Sequence, residues 1–278
     1  MTDTQLRWNS RRAVAAVVLA AAIVLAGCGS GGTTTAAPGG DVSAEDVRGD
    51  VLSATDGTDS YAIAGTTNVT VLANNQEQRI TVESETRVDR ANREFAADQT
   101  TSVLGQTTEA EAYLKDGVFY QRSDAFVQAY SSEWIKQDVS ENVSRTFRTI
   151  DLLQQVEVAL PNASLSLEGT ATVDGTETYV LAADVEPEAI EEYALGSLQS
   201  SGLAASVNVT DASITVYAST ENGQPLRVES ATNATVSLQG QRLEVRSSAD
   251  ARVSYEPVSV SLPEKASTAV NASTALGS

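Results

Sequence analysis

The sequence predicts an α+β fold in which one large curved antiparallel sheet, a half-barrel, wraps around two or three helices. Three observations support this. Most of the chain between residues 43 and 263 alternates apolar and polar residues with period two. Short turn signals separate the alternating segments, and apolar residues recur at helical spacing in only a few places. Consecutive strands joined by short turns pair antiparallel, so the sheet is expected to be a meander with helices inserted.

The first predicted element is a short helix from residue 43 to about residue 55. Ser43 can cap its start, and Val47, Val51 and Leu52 lie on one face. This helix is expected to present one apolar face to the sheet.

A run of strands follows from Tyr61 to Tyr120. Apolar residues share one face of the first two strands: Tyr61, Ile63, Val69 and Val71 in the first, and Ile80, Val82 and Val88 in the second. Asn74-Asn75 and Asp116-Gly117 are turn signals. These strands are therefore expected to be antiparallel neighbours.

The main predicted helix lies between residues 143 and 160 and ends at Pro161. Its apolar residues at helical spacing are Val143, Phe147, Ile150, Leu153, Val156 and Leu160. A hairpin with a turn at Asp174-Gly175 follows.

Another helix is expected from Pro187 to Gly202. Three long strands complete the sheet, at about 203–219, 226–238 and 242–255. The apolar face of the first of these changes near Asp211, which predicts a β-bulge there.

The N-terminal residues predict export and lipidation. Arg11 and Arg12 precede about fifteen apolar residues, whereas a membrane span needs ~20. Ser10-Arg11-Arg12 resembles the start of a twin-arginine signal, and Leu25-Ala26-Gly27-Cys28 resembles the lipobox of prokaryotic lipoproteins. We expect Cys28, the only cysteine, to carry a lipid; the alternative is a buried core cysteine.

These features define the expected organisation of the chain. Residues 1–27 are a signal peptide, 28–42 a lipidated flexible tether, 43–263 one domain, and 264–278 a disordered tail. The expected location is the extracellular face of the cell membrane, with the lipid on Cys28 as the anchor.

The composition is strongly acidic. The chain has 18 basic and 37 acidic residues, a net charge of −19. Without residues 1–27, 15 basic and 36 acidic residues remain, a net charge of about −21. Halophilic proteins use such a composition, and an acidic mesophilic surface is the alternative. Binding the phosphates of a nucleic acid needs a positively charged face, which this acidic chain does not have. We therefore expect no nucleic acid partner.

Catalysis is not expected. The chain has no histidine, which excludes every histidine-dependent triad, base and zinc site. Paired carboxylates are possible as in glycosidases, but with this many acidic residues such pairs arise by chance. We therefore predict no catalytic residue, no cofactor and no metal site.

A family resemblance accompanies these features. The lipobox, the Gly/Thr-rich tether, the hairpin YLKDGVFY at residues 113–120, Trp134 and VSVSLP at residues 258–263 resemble surface lipoproteins of haloarchaea. They resemble more distantly the lipoprotein carrier class that includes LolA, LolB and LppX. The resemblance implies an open half-barrel whose concave side holds an acyl chain or another apolar ligand. Bacterial members of this class carry lipoproteins or lipids across a periplasm. An archaeon with a single membrane has no periplasm, so the resemblance does not imply that role here.

The predicted inner face of the sheet has large residues at the strand ends and small residues between them. The candidate ligand-lining residues are Ile63, Gly65, Val82, Ser84, Leu167, Gly169, Thr232, Val245 and Ala249. Protein interiors are densely packed, so small residues in register must face something bulky. That is either the helix bearing Phe147 or a ligand. The function is accordingly an apolar-ligand carrier or sensor, or a ligand-free envelope protein that acts through its surface or a membrane partner.

Two further residue groups are candidates for function. An aromatic group either rims a binding mouth or packs in the core; it consists of Tyr113, Phe119, Tyr120, Phe126, Tyr130 and Trp134. Six of the eleven asparagines lie in N-x-S/T sequons: Asn68, Asn142, Asn162, Asn208, Asn233 and Asn271. On an exported protein, we expect some of these to be glycosylated.

Overall fold

The computed structural model describes residues 42–73, 76–188, 190–191, 205–238 and 241–272. The strands are β1 (Ser60–Ala73), β2 (Gln76–Asp89), β3 (Glu94–Val103), β4 (Gln106–Lys115), β5 (Val118–Ser123), β6 (Trp134–Asp138), β7 (Ser164–Val173), β8 (Thr176–Asp184), β9 (Ala205–Ser219), β10 (Pro225–Leu238), β11 (Gln241–Ser254) and β12 (Val270–Asn271). The helices are α1 (Ala44–Asp56), α2 (Phe126–Tyr130), α3 (Val143–Arg148) and α4 (Leu152–Ala159), and 3-10 turns lie at Ser140–Asn142, Leu160–Asn162 and Glu264–Thr268. Within these residues no helix is long and apolar enough to cross a membrane.

All twelve strands belong to one sheet, in the order β12-β6-β5-β4-β3-β2-β1-β11-β10-β9-β8-β7. Neighbouring strands are antiparallel except β12 and β6, which are parallel. The pairing of β1 with β11 joins an N-terminal meander to a C-terminal one. The predicted α+β fold with one large antiparallel sheet is confirmed.

Helices α1, α3 and α4 pack on one face of the sheet, here named the inner face; the opposite face is the outer face. Their apolar residues and the adjacent strand ends form the proximal cluster. Its members include Val47, Val51, Tyr61, Val88, Phe95, Leu114, Phe147, Leu153, Val156, Leu181, Val216 and Val253. The two-residue alternation predicted for β1 and β2 is confirmed, because the buried apolar residues of each strand are an even number of positions apart: Tyr61, Val69 and Val71 in β1, and Ile80, Val82 and Val88 in β2.

A second apolar cluster lies at the far end of the inner face. This distal cluster consists of Val69, Val71, Ile80, Val82, Val236 and Leu243. Its residues come from β1, β2, β10 and β11, and no described helix contributes to it. Strands β1 and β11 lie between β2 and β10, so the distal cluster extends across four adjacent strands of the sheet.

The C-terminal residues pack on the outer face, which corrects the predicted domain boundary. Ala266 is fully buried and Ala269 is buried beside Trp134. The Lys115 Nζ donates a hydrogen bond to the Val260 carbonyl at 3.1 Å. The prediction of a disordered tail is wrong for residues 264–271. It missed them because short alanine-rich segments have too few large side chains to signal burial.

The helices also differ in detail from the prediction. The single helix expected over residues 143–160 is divided into α3 and α4. Asp151 separates them, because its Oδ1 accepts a hydrogen bond from the Gln154 N–H at 3.1 Å and so caps α4. Only residues 187–188 and 190–191 of the helix predicted up to Gly202 are described, and they are helical.

Two local predictions are confirmed. Ser43 caps α1 in a capping box with Asp46. The bulge expected near Asp211 is present, because the register of β9 against β10 shifts between Asn233 and Ala234.

Candidate functional site

The inner face carries a band of small and hydroxyl-bearing side chains between the proximal and distal clusters. This mid-height band consists of Thr67, Ser84, Ser230, Thr232, Ser247 and Ala249. Ala249 lies opposite Thr67 on one side and Ser230 on the other, while Thr232 lies opposite Ser247. Three of the predicted lining residues thus lie in this band on the inner face: Ser84 on β2, Ala249 on β11 and Thr232 on β10.

The described helices pack beside this band. Phe147 of α3 belongs to the proximal cluster, at the strand ends. Ala249 belongs to neither cluster and is half-buried. Among the described residues, the helix bearing Phe147 therefore does not pack against Ala249.

Four other predicted lining residues flank the band. Ile63 and Leu167 pack against the proximal cluster. Val82 is buried in the distal cluster, and Val245 packs against it. The band therefore has apolar surface at both of its ends.

Gly169 does not line the inner face, so this prediction is wrong. The register of β7 shifts between Leu167 and Gly169, and Gly169 adopts a φ of 129°. Leu167 lies opposite Leu181 on the inner face, whereas Gly169 lies opposite Val180, which packs in an outer-face cluster. A bulge reverses the facing of later residues, and uninterrupted alternation in the sequence does not reveal it.

Gly65 lies on the inner face, but its small size has a backbone cause. A Cβ at this position would lie 2.9 Å from the Asp250 carbonyl oxygen and 3.3 Å from the Ala251 Cα. The close approach of β11 thus requires glycine at this position. Its missing side chain is no sign of a ligand.

Two hydroxyls of the band are buried without partners. Ser230 is 4% exposed and Ser247 is 7% exposed. Neither Oγ has a hydrogen-bond partner in the part of the chain that the structure describes. Buried polar groups are nearly always hydrogen-bonded, and leaving one unsatisfied costs about 1–3 kcal/mol. Alternation in the sequence places both serines on the inner face, but it does not show that their hydroxyls are buried.

A buried polar network fixes α4 to the sheet next to the proximal cluster. The Arg90 Nε donates to Asp151 Oδ2 at 2.8 Å, and its Nη2 donates to Glu157 Oε1 at 2.9 Å. The Tyr61 hydroxyl donates to Asp151 Oδ1 at 2.8 Å and accepts from the Leu153 N–H at 3.3 Å. The carbonyl oxygen of Thr55, near the end of α1, also accepts from Arg90.

The charges and burial in this network shift two pKa values. Burial raises the pKa of Tyr61 well above its ordinary range, and the nearby negative charge of Asp151 adds to this effect. Burial alone would lower the pKa of Arg90, but Asp151 and Glu157 outweigh it and raise that pKa. The network therefore favours charged Arg90 and neutral Tyr61.

The outer face carries an acidic groove of about 600 Å³ that the sequence did not predict. Its charged lining residues are Glu83, Glu85, Asp98, Glu109, Glu111, Arg122, Asp250 and Arg252. Some are paired: Arg227 donates to Asp250 at 2.8 and 2.6 Å, and Arg122 lies 3.7 Å from Glu111. Because residues alternate between the two faces, these side chains lie on the face opposite the helices. The groove crosses six consecutive strands of the sheet, β5, β4, β3, β2, β1 and β11.

The aromatic group is divided between the two faces. Tyr113 and Trp134, with ring centroids 6.0 Å apart, pack under the C-terminal residues on the outer face, next to Tyr120. Phe119 packs against Phe95 in the proximal cluster. Phe126 and Tyr130 form a separate pair on α2 with centroids 5.9 Å apart. The six aromatic residues therefore do not form one rim.

The modification sites are only partly described. Arg11, Arg12 and Cys28 lie outside the described residues. Five of the candidate asparagines are exposed: Asn68, Asn142, Asn162, Asn208 and Asn271. Asn233 is half-buried, and its Nδ2 donates to Asp211 at 3.2 Å. Glycosylation stays a prediction. Within the described ranges, no group of three or more acidic or cysteine side chains is placed to hold a metal ion.

Comparison with known proteins gives matches in structure alone. No protein-family model and no curated protein matches the chain. Lipoprotein LppX from Mycobacterium tuberculosis is 14% identical, with a TM-score of 0.40, over 78% of this chain and 98% of that one. LprF from Mycobacterium bovis is 13% identical, with a TM-score of 0.44, over 79% of this chain and 96% of that one.

A LolA superfamily protein from Nitrosomonas europaea is 9% identical, with a TM-score of 0.23, over 78% of this chain and 96% of that one. LppX and LolA are also the proteins that the sequence distantly resembles. At such identities and TM-scores, the chain is similar to them in its general arrangement, and the likeness carries no argument about its ligand or activity.

Proposed function

We propose that this chain is an exported, lipid-anchored surface protein that binds a lipid or another apolar ligand on the inner face of its curved sheet. The mid-height band is the observation that carries this proposal. Its half-buried Ala249 lies outside both apolar clusters, and the described helices pack beside it. A ligand lying across the band would contact the proximal cluster at one end and the distal cluster at the other.

Burial of an alkyl chain in such a place is energetically favourable. Each methylene removed from water contributes about 0.8 kcal/mol, so eight buried methylenes give roughly 6 kcal/mol before the cost of ordering the chain. The clusters supply the apolar contacts, and the band between them bears small side chains. Binding sites of this kind are mostly apolar, with a few placed polar groups.

The test is binding of a fluorescent fatty acid or isoprenoid probe, together with native mass spectrometry of protein taken from its own cells. Ala249→Trp should block probe uptake and leave the melting temperature nearly unchanged, because the indole would fill space that the ligand occupies. The matched control is Ser248→Trp, at the preceding residue, which lies on the outer face. This variant should still bind the probe.

The other outcomes count against the proposal. If Ala249→Trp lowers the melting temperature and the wild type binds no probe, protein atoms already fill the band and the change overpacks a core, at a cost of about 1–3 kcal/mol. A wild-type protein that takes up no apolar probe and carries no extra lipid mass would refute the carrier function.

The anchor is tested separately with Cys28→Ser. The variant should leave the membrane fraction or stay unprocessed while the domain folds, because it lacks the thiol that takes the lipid. One lipid chain alone gives only marginal anchoring, so a second chain or another membrane contact is expected in the wild type. Equal membrane retention of the two proteins would refute the lipid anchor.

The acidic groove favours a second candidate, an envelope protein that acts through its outer face. Its lining has six carboxylates and two guanidinium groups, so the groove is suited to a positively charged partner. Binding of a basic peptide that weakens with salt and with Glu83→Gln/Glu85→Gln would favour this candidate. Unchanged binding in that variant would remove the groove from consideration.

A further inference from the structure

The strongest unexplained feature of the inner face is the pair of buried hydroxyls at Ser230 and Ser247. They lie on adjacent strands, with Ser230 opposite Ala249 and Ser247 opposite Thr232. They are thus offset by two residues, a diagonal relation in which Cα atoms are about 7–8 Å apart. Both are more than nine-tenths buried, and neither Oγ has a described partner.

Their place in the sheet puts the two hydroxyls at opposite edges of the mid-height band. Ser230 shares its face with Val228 and Ile214, which belong to the proximal cluster. Ser247 lies opposite Val69 of the distal cluster. Each hydroxyl therefore lies where the band adjoins one of the two clusters.

We infer that Ser230 and Ser247 hydrogen-bond an acceptor oxygen within the apolar ligand, so that the ligand is a long-chain lipid with an ester, ether or ketone oxygen among its buried atoms. This inference rests on the proposed function. A serine hydroxyl donates one hydrogen bond, and a carbonyl oxygen has two lone pairs, so one ligand oxygen can satisfy both side chains. A plain hydrocarbon would leave both hydroxyls unsatisfied.

This arrangement selects a ligand by its chemistry. A site with buried hydrogen-bonding groups disfavours an analogue that lacks the matching atom, because the protein groups then stay unpaired. The apolar clusters would hold either probe by its alkyl chain. The hydroxyl pair would discriminate between an oxygen-bearing chain and an otherwise identical hydrocarbon.

The experiment uses a matched pair of probes, 9-heptadecanone and heptadecane, which differ by one carbonyl oxygen. Each competes with 1-N-phenylnaphthylamine for the full chain, kept in solution with amphipol, with amphipol alone as the blank. Ser230→Ala/Ser247→Ala should lower the ratio of ketone to alkane affinity about tenfold, as expected for the loss of one or two hydrogen bonds. The outward-facing control Ser237→Ala/Ser248→Ala should leave the ratio unchanged.

A second measurement does not depend on the probes. Because neither hydroxyl has a hydrogen-bond partner among the described residues, the alanine variant should melt at the same temperature as the wild type or higher. A lower melting temperature would mean that they already have partners within the protein, and would overturn the inference.

The outcomes separate the two proposals. If both proteins bind both probes with the same affinity ratio, the hydroxyls do not contact the ligand, and the carrier function stands without them. If the wild type binds neither probe, the carrier function fails, and this inference fails with it.

Discussion

Removing the charge of Arg90 should strongly destabilise the fold, because Arg90 connects the sheet to α4. Its guanidinium neutralises Asp151, whose side chain is 2% exposed, and Glu157, whose side chain is 19% exposed. Arg90→Met keeps most of the aliphatic stem but leaves two carboxylates without their cation. Breaking a buried ion pair in this way costs about 3–5 kcal/mol. For a domain of this size that corresponds to a fall in melting temperature of roughly 6–20 °C.

The assay is urea unfolding at fixed salt, followed by the fluorescence of Trp134. Arg87→Met is the matched control, since Arg87 is three residues away on β2 and its side chain is 49% exposed, 3.6 Å from Asp98. Exposed ion pairs contribute about 0–1 kcal/mol, so this variant should unfold almost like the wild type. Equal losses in the two arginine variants would refute the reasoning that the Arg90 network fixes α4 to the sheet.

Three other predictions follow from charge, packing and titration. The melting temperature should fall as salt is reduced from molar to millimolar, because the net charge is −19 and the screening length grows from about 3 Å to ~30 Å; a constant value would oppose the halophilic interpretation. Deleting residues 264–278 should shift Trp134 emission to longer wavelength, because Ala266 and Ala269 cover this ring, whereas deleting residues 273–278 should not. Burial raises the pKa of Tyr113 to about 12, so the stability it contributes is complete below pH ~10, where unfolded tyrosines begin to ionise, and is lost from there toward pH 12. Tyr113→Phe should reduce that loss in urea unfolding at alkaline pH.

Much of the fold follows from local patterns in the sequence. Alternation in β1 and β2, the turn at Asp116-Gly117 and the cap at Ser43 are effects of a few adjacent residues, and the structure has all of them. The change of apolar face near Asp211 was also readable, because β9 has bulky residues on each side of the bulge. Local geometry and periodicity are enough for such features.

The site was only partly predictable. The inward orientation was predicted correctly for Ser84, Thr232 and Ala249, which the strand register places on the inner face. It was wrong for Gly169, where one additional residue in the strand reverses the facing without interrupting the apolar alternation. Gly65 faces inward, but its size is set by the backbone of β11, a contact between residues far apart in sequence.

The sequence by itself determined the acidic charge, the absence of histidine, the candidate lipid anchor at Cys28 and the α+β arrangement of strands and helices. The tertiary structure alone decided the pairing of β1 with β11, the network around Arg90, the packing of residues 264–271 on the outer face and the burial of Ser230 and Ser247. The physical reason is the separation along the chain of the residues that interact. Charge, motifs and periodicity depend on residues close together in the chain, whereas burial and unpaired hydrogen-bonding groups depend on which distant strands the curled sheet brings into contact.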